Sequence, residues 1–141
     1  MQVRVVLDAS IFASALMKHD SPPSQVLKTI LDGEKYELVL SQSILDELQR
    51  ILFYPKVRKR IQKTDEELAR FVHAVSICAH LINARYKYEV LVPDDPEDDI
   101  YLIAALESRA EFLVTGDNHL LRLQKVEGIK ILTAREFLTS V

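Results

Sequence analysis

The chain has 141 residues, 48% of them apolar, with 18 Lys and Arg against 21 Asp and Glu for a formal net charge of −3. That size and apolar content exclude a disordered chain and one that needs staples to hold a core, and the mildly acidic balance lacks the overall basic footprint of a strong nucleic-acid binder. Cys78 is the sole cysteine, which rules out an intramolecular disulfide and fits a reducing compartment; no apolar run reaches membrane-spanning length and "MQVRVVLDAS" is too short for a secretory core, so a cytoplasmic location is expected.

Residues 3–7, "VRVVL", form a β-branched run ending on Asp8 and read as a buried strand. "SIFASALM" is helical, and "SPPSQVLKTILDG" places prolines at a helix start and a glycine at its end. "YELVL" at 36–40 is a second strand, with Ser41 or Ser43 capping the helix "ILDELQRILF" that Pro55 breaks. "KVRKRI" follows as a short basic helix. Thr64 and Glu67 make a capping-box pair for a helix reaching about residue 78, and a third strand falls near 79–83. After an acidic stretch come the helix "DDIYLIAALESRA", a fourth strand in "EFLVTGD" (111–117), the short helix "NHLLRL", the strand "IKIL", and a final helix capped by Thr133 with Glu136. Strands alternating with helices predict an α/β domain with a central, mostly parallel sheet of about five strands covered on both faces. With no repeat or linker, residues 1–141 read as a single domain.

In such a sheet, ligands gather at the carboxyl ends of the strands, where strand order reverses. Asp8 ends the first strand and Asp117 the fourth. On the helix after the second strand, Ile44, Leu48, Ile51 and Leu52 form the apolar stripe; Glu47 shares its inward side, whereas Asp46 can pair with Arg50 at i,i+4. Two readings of Glu47 stand: a carboxylate directed to a site, or a half-exposed one at the stripe's margin. In "PDDPEDDIYLIAALE" (93–107), Asp99 precedes Leu102, Ile103 and Leu106 at helical spacing, and Asp98 lies one position round, nearer Tyr101 and Ala105. Asp94, Asp95 and Glu97 suit the helix dipole. Four acids converging at one rim would repel one another unless a cation neutralised them. Without Cys or His pairs at ligand spacing, oxygen donors dominate, which suits Mg²⁺ or Mn²⁺ and phosphate chemistry.

Four stretches in order, "VVLDAS", "ELVLSQSILDEL", "DPEDDIYLIAAL" and "FLVTGDNHLL", with a closing "GIKILTAREFL", resemble the PIN-domain family, particularly the VapC-like toxins of prokaryotic toxin–antitoxin pairs. The resemblance runs nearly end to end. It implies a three-layer α/β/α sandwich, a homodimer, an antitoxin partner and metal-dependent endoribonuclease activity, with the acidic quartet on Asp8, Glu47, Asp99 and Asp117. Asp98 matches a further recurrent acid, and Thr115 a hydroxyl residue before the fourth acid. The chain departs from the family at "DAS", where Ser10 stands in place of the usual Asn, and at His119, in place of a further Asp; both bear on how a second metal or the substrate is held.

For RNA, Arg50, Lys56, Arg58, Lys59 and Arg60, with Lys63, form the densest cationic patch, suited to phosphate contacts that position a strand without reading it. A solvated basic helix face is the competing reading. "RYKY" (85–88) mixes charge with aromatics in a way that can stack bases, or is a plain edge strand. His73 is expected packed or half-exposed, His80 near a strand, His119 close to the site, and Cys78 in the core. Two rival functions are a haloacid-dehalogenase-type phosphatase, weakened by Ser10 where that chemistry needs a second Asp, and a non-catalytic PIN-like module binding RNA or a partner protein.

Overall fold

A computed structural model describes residues 2–83 and 99–140, Asp99 by its backbone alone. Asp94, Asp95, Glu97, Asp98 and the "RYKY" segment lie outside these residues. The described elements are strands β1 (Val3–Leu7), β2 (Tyr36–Ser41), β3 (His80–Ile82), β4 (Phe112–Val114), β5 (Lys125–Val126) and β6 (Ile129–Leu132). Helices are α1 (Ala9–Met17), α2 (Pro22–Asp32), α3 (Gln42–Leu52), α4 (Pro55–Arg58), α5 (Asp65–Cys78), α6 (Asp99–Ser108), α7 (Asn118–Leu121) and α8 (Ala134–Ser140).

The strands form one six-stranded sheet in the order β3-β2-β1-β4-β6-β5, parallel except for β5 against β6. Strand order reverses between β1 and β4, and this switch point positions the site. Alternation along the strands shows that both faces are covered. Val3 registers with Tyr36 and Val5 with Phe112, and Phe137 of α8 lies against both rings, at centroid distances of 5.3 Å and 5.4 Å. Arg4, on the opposite face, donates to the Ser108 carbonyl of α6 at 2.9 Å and to Glu37 at 3.0 Å. Helices therefore sandwich the sheet. The burial this demands explains the apolar runs at 5–7 in β1 and 38–40 in β2, while Arg4 and Glu37 pair near the strand starts.

Three caps appear as their residues predict. Thr64 and Glu67 exchange hydrogen bonds at the start of α5, Thr133 and Glu136 do so at α8, and Pro22 and Pro23 sit in the first turn of α2 behind the Ser21 cap. Of the two candidates at α3 it is Ser41, whose hydroxyl accepts from the Ile44 amide at 3.2 Å. Ser41 is buried, so Ser41→Ala orphans that amide; stability should fall by about 1 kcal/mol, read as a lower midpoint in urea with an unchanged slope.

The mostly parallel sheet is as expected, with one strand beyond about five, while the expectations for Cys78 and His73 need correction. The sheet has a sixth strand, because Glu127 and Gly128 both take positive φ (50° and 85°) and turn β5 tightly onto β6, the backbone a two-residue hairpin requires. Cys78 is exposed: the buried stripe of α5 is Leu68, Val72 and Val75, and Cys78 lies roughly 80° around the helix from its centre. His73 is exposed, while His80 is half-exposed in β3 with its Nδ1 3.9 Å from Glu37.

Candidate active site

At the switch point the chain leaves β1 through Asp8 and β4 through Thr115. The Asp8 amide donates to the Val114 carbonyl at 3.0 Å, which ties the two exits together. Asp8 also caps α1: one carboxylate oxygen accepts from the Ser10 amide at 3.0 Å, and the other from the Thr115 hydroxyl at 2.7 Å. Thr115 is fully buried and accepts in turn from the Asp117 amide at 3.0 Å. One hydroxyl thus joins the two acids. Asp117 caps α7, accepting from the His119 amide at 2.7 Å, and the His119 Nδ1 stands 3.6 Å from the same carboxylate oxygen.

Asp8 is buried, and that burial pushes its carboxyl above the ordinary value of 3.8; the charge of Asp117 pushes the same way, while the bonds from Thr115 and Ser10 oppose them. A carboxylate so placed gains most from a cation.

Glu47 lies on α3, the helix that follows β2. The buried stripe of α3 is Ile44, Leu48 and Leu52, with Ile51 only half-buried, so Glu47 falls at its margin, with its side chain 26% exposed. Expected to reach Asp46, Arg50 instead places Nε and Nη2 on the two Glu47 oxygens, at 3.0 Å and 2.5 Å; Asp46 accepts from Gln42 at 2.9 Å. Glu47 shares a shallow groove with Ser43, Arg50 and Ile100. Ile100 follows Asp99, so α3 and the first turn of α6 meet there.

Asp99 begins α6, and its side chain is outside the described residues, as is all of Asp98. The expected stripe from Asp99 is met only in part: Leu102 is buried, Ile103 and Leu106 are half-buried, and Tyr101, Ala104, Ala105 and Ser108 complete the buried face. Tyr101 is a residue the sequence did not single out. Its buried hydroxyl accepts from the Ala9 amide at 3.2 Å, pinning the start of α6 beside Asp8. A buried tyrosine needs a partner for its hydroxyl, yet helical periodicity does not say where that partner lies.

Among the described residues, no group of three or more His, Cys, Asp or Glu stands close enough to hold a metal ion. Asp8 and Asp117 are the pair brought together. Their carboxylate oxygens, with the Thr115 hydroxyl between them, fit a hard divalent cation such as Mg²⁺ or Mn²⁺, and the His119 imidazole stands beside them. Of the cationic patch, Lys56, Lys59 and Arg60 are exposed. Arg58 is engaged in the fold, donating to Asp65 at 2.8 Å and to the carbonyls of Ile61 and Lys63 at 3.2 Å and 2.5 Å.

A parallel sheet with acids at its switch point, sandwiched by helices, defines the class, and comparison with known proteins names it. A sequence model of the PIN domain matches residues 4–119, and the chain belongs to the PIN-domain family. PIN domains are generally nucleases that use divalent metal ions. The chain is 30% identical to uncharacterized protein MJ1680 of Methanocaldococcus jannaschii, over 98% of this chain and 91% of that protein. It is similar in fold to PAE2754 from Pyrobaculum aerophilum, with a TM-score of 0.61 at 21% identity over 99% of this chain and 88% of the other.

Proposed function

We propose that the protein is a metal-dependent endoribonuclease, the toxin of a toxin–antitoxin pair, using Asp8, Glu47, Asp99 and Asp117, with Asp98 beside them, to hold Mg²⁺ or Mn²⁺. The observation that carries this reading is the Asp8 carboxylate, buried against Thr115 and within reach of the charge on Asp117. Such a group is unfavourable when charged alone and favourable beside a cation. When bound, the cation supplies a water nucleophile at neutral pH and stabilises the departing oxygen.

The chain's own residues fix the carboxylates. Thr115 and Ser10 orient Asp8, the α7 turn holds Asp117, and Tyr101 anchors α6. Arg50 occupies both Glu47 oxygens, so a cation taking Glu47 as a ligand competes with a guanidinium. That competition favours a second reading, a non-catalytic module binding RNA or a partner protein. His119 replaces a family Asp and brings an imidazole to within 3.6 Å of Asp117, suited to touching substrate. A cognate antitoxin, a homodimer and a cytoplasmic setting accompany the toxin reading.

The test is cleavage of a panel of structured and single-stranded RNAs with added Mn²⁺ or Mg²⁺. Cutting should stop with chelator and return with metal. Cutting indifferent to chelator, or no calorimetric signal for Mn²⁺, removes the metal-dependent reading. The two adjacent acids can be ranked by the same calorimetry. Asp99→Asn, the quartet member, is expected to weaken Mn²⁺ binding more than Asp98→Asn, by roughly tenfold; the reverse order assigns the ligand to Asp98.

A further inference from the structure

A second groove runs along the other side of α3, between it and α5. Its α3 side carries Gln42, Leu45, Gln49 and Phe53, its α5 side Val72 and His73, and its volume is about 420 Å³. Val72 is buried and Leu45 half-buried, so the floor is apolar, while Gln42, Gln49 and His73 are exposed and offer amide and imidazole edges. Phe53 closes one end at 41% exposure, and Tyr54 beside it is 52% exposed. Aromatic side chains are the largest apolar groups a fold can bury, so two neighbours left in water at the mouth of a groove suggest an occupant.

The surrounding charge says what kind. From residue 48 to residue 64 there are six Lys and Arg and no Asp or Glu, in a chain whose net charge is −3; Arg50 and Arg58 of these are paired with the flanking Glu47 and Asp65. Lys56, Lys59 and Arg60 of that run are exposed just beyond Tyr54. An apolar slot with an aromatic wall, hydrogen-bonding edges and cations at its mouth matches an unpaired nucleobase followed by its phosphates. A second copy packed here by two-fold symmetry would bring the same acid-free run close to itself, which like charges oppose. Position agrees too: Glu47 lies on the α6 side of α3, and a helix is about 10 Å thick, so a strand crossing α3 reaches both grooves.

We infer that the α3/α5 groove is a substrate subsite that stacks an unpaired base of single-stranded RNA on Phe53, with the adjoining phosphates on Lys56, Lys59 and Arg60. This rests on the ribonuclease reading and adds a residue-level account of how RNA is held. The test is fluorescence anisotropy with a short labelled single-stranded RNA in chelator, where binding is read without cleavage. Phe53→Ala should weaken binding about tenfold with an unchanged salt dependence, because stacking releases no counterions. Phe53→Trp should retain binding, and His73→Ala should weaken it less than Phe53→Ala. Lys56→Ala with Lys59→Ala should weaken binding and flatten its salt slope by about one to two. Phe53→Ala and His73→Ala binding like the wild type overturns the subsite, and leaves the ribonuclease reading standing if the wild type binds and cuts RNA. Sedimentation showing a dimer that Phe53→Ala dissociates, with RNA affinity unchanged, also overturns it and assigns the groove to a second copy. A wild type that neither binds nor cuts RNA removes both proposals.

Discussion

Asp8→Asn is expected to raise the melting temperature of the metal-free protein at neutral pH by about 2–4 °C, the shift that roughly 1 kcal/mol makes in a chain of this length. It is also expected to abolish the response to Mn²⁺. Burial and the charge of Asp117 lift the Asp8 carboxyl above its ordinary 3.8 in the folded state. A folded group with a raised value holds its proton more tightly than the unfolded chain does. The stability this lends is complete below pH 3.8 and is lost as pH rises through the folded value. At neutral pH the charged Asp8 therefore works against the metal-free fold, and asparagine relieves it. The amide still offers an oxygen to the Ser10 N–H and can donate to Thr115. The difference between the two proteins should vanish as pH falls below the ordinary aspartate value. Mn²⁺ should reverse the order, stabilising the wild type by mass action and leaving the variant unmoved. Metal-dependent cleavage should drop by more than the roughly 10–100-fold typical of changing a ligand's partner rather than a ligand. Melting curves with and without Mn²⁺ decide it: an Asp8→Asn protein less stable than the wild type in chelator contradicts the burial account.

Thr115→Val should cost about 1–3 kcal/mol, the penalty of leaving a buried polar group without its partner. Valine matches threonine in shape but neither donates to the Asp8 carboxylate nor accepts from the Asp117 amide, bonds of 2.7 Å and 3.0 Å in the native protein. With its largest opposing bond gone, the Asp8 carboxyl should rise further. Thr115→Ser keeps the hydroxyl and should recover most of the loss. Mn²⁺ affinity should follow the same order, wild type, then serine, then valine, with valine roughly 10–100-fold weaker. Denaturant midpoints and calorimetry on the three proteins check it. Equal Mn²⁺ affinity across them would make Thr115 a packing residue alone.

Much of this was legible in the sequence, for local reasons. β1 and β2 stand out because a sheet covered on both faces demands consecutive apolar residues, here at 5–7 and 38–40. Asp8 stands out because an acid directly after such a run has to be at the strand's carboxyl end. The capping boxes at Thr64 and Thr133 are legible because cap and partner lie three residues apart. What was not legible depends on distant partners or on a choice between near-equal stripes. α3 buries Ile44, Leu48 and Leu52, and leaving Ile51 half out moves Glu47 to the margin. Tyr101 finds its partner 92 residues away, where no periodicity reports it. Pro55 announces the end of α3, but not that Phe53 and Tyr54 beside it are left exposed. β5 has two residues, too few for any strand pattern, and exists because the Glu127–Gly128 turn folds it back.

That hairpin governs how other chains approach the sheet from its β6 side. Open strand edges invite other chains to add to them. Here the flank is closed by a two-residue antiparallel stub, too short to template an added strand. A neighbouring polypeptide arriving from that direction meets side chains and a tight bend, which protects a mostly parallel and slow-pairing architecture from growing outward into aggregates.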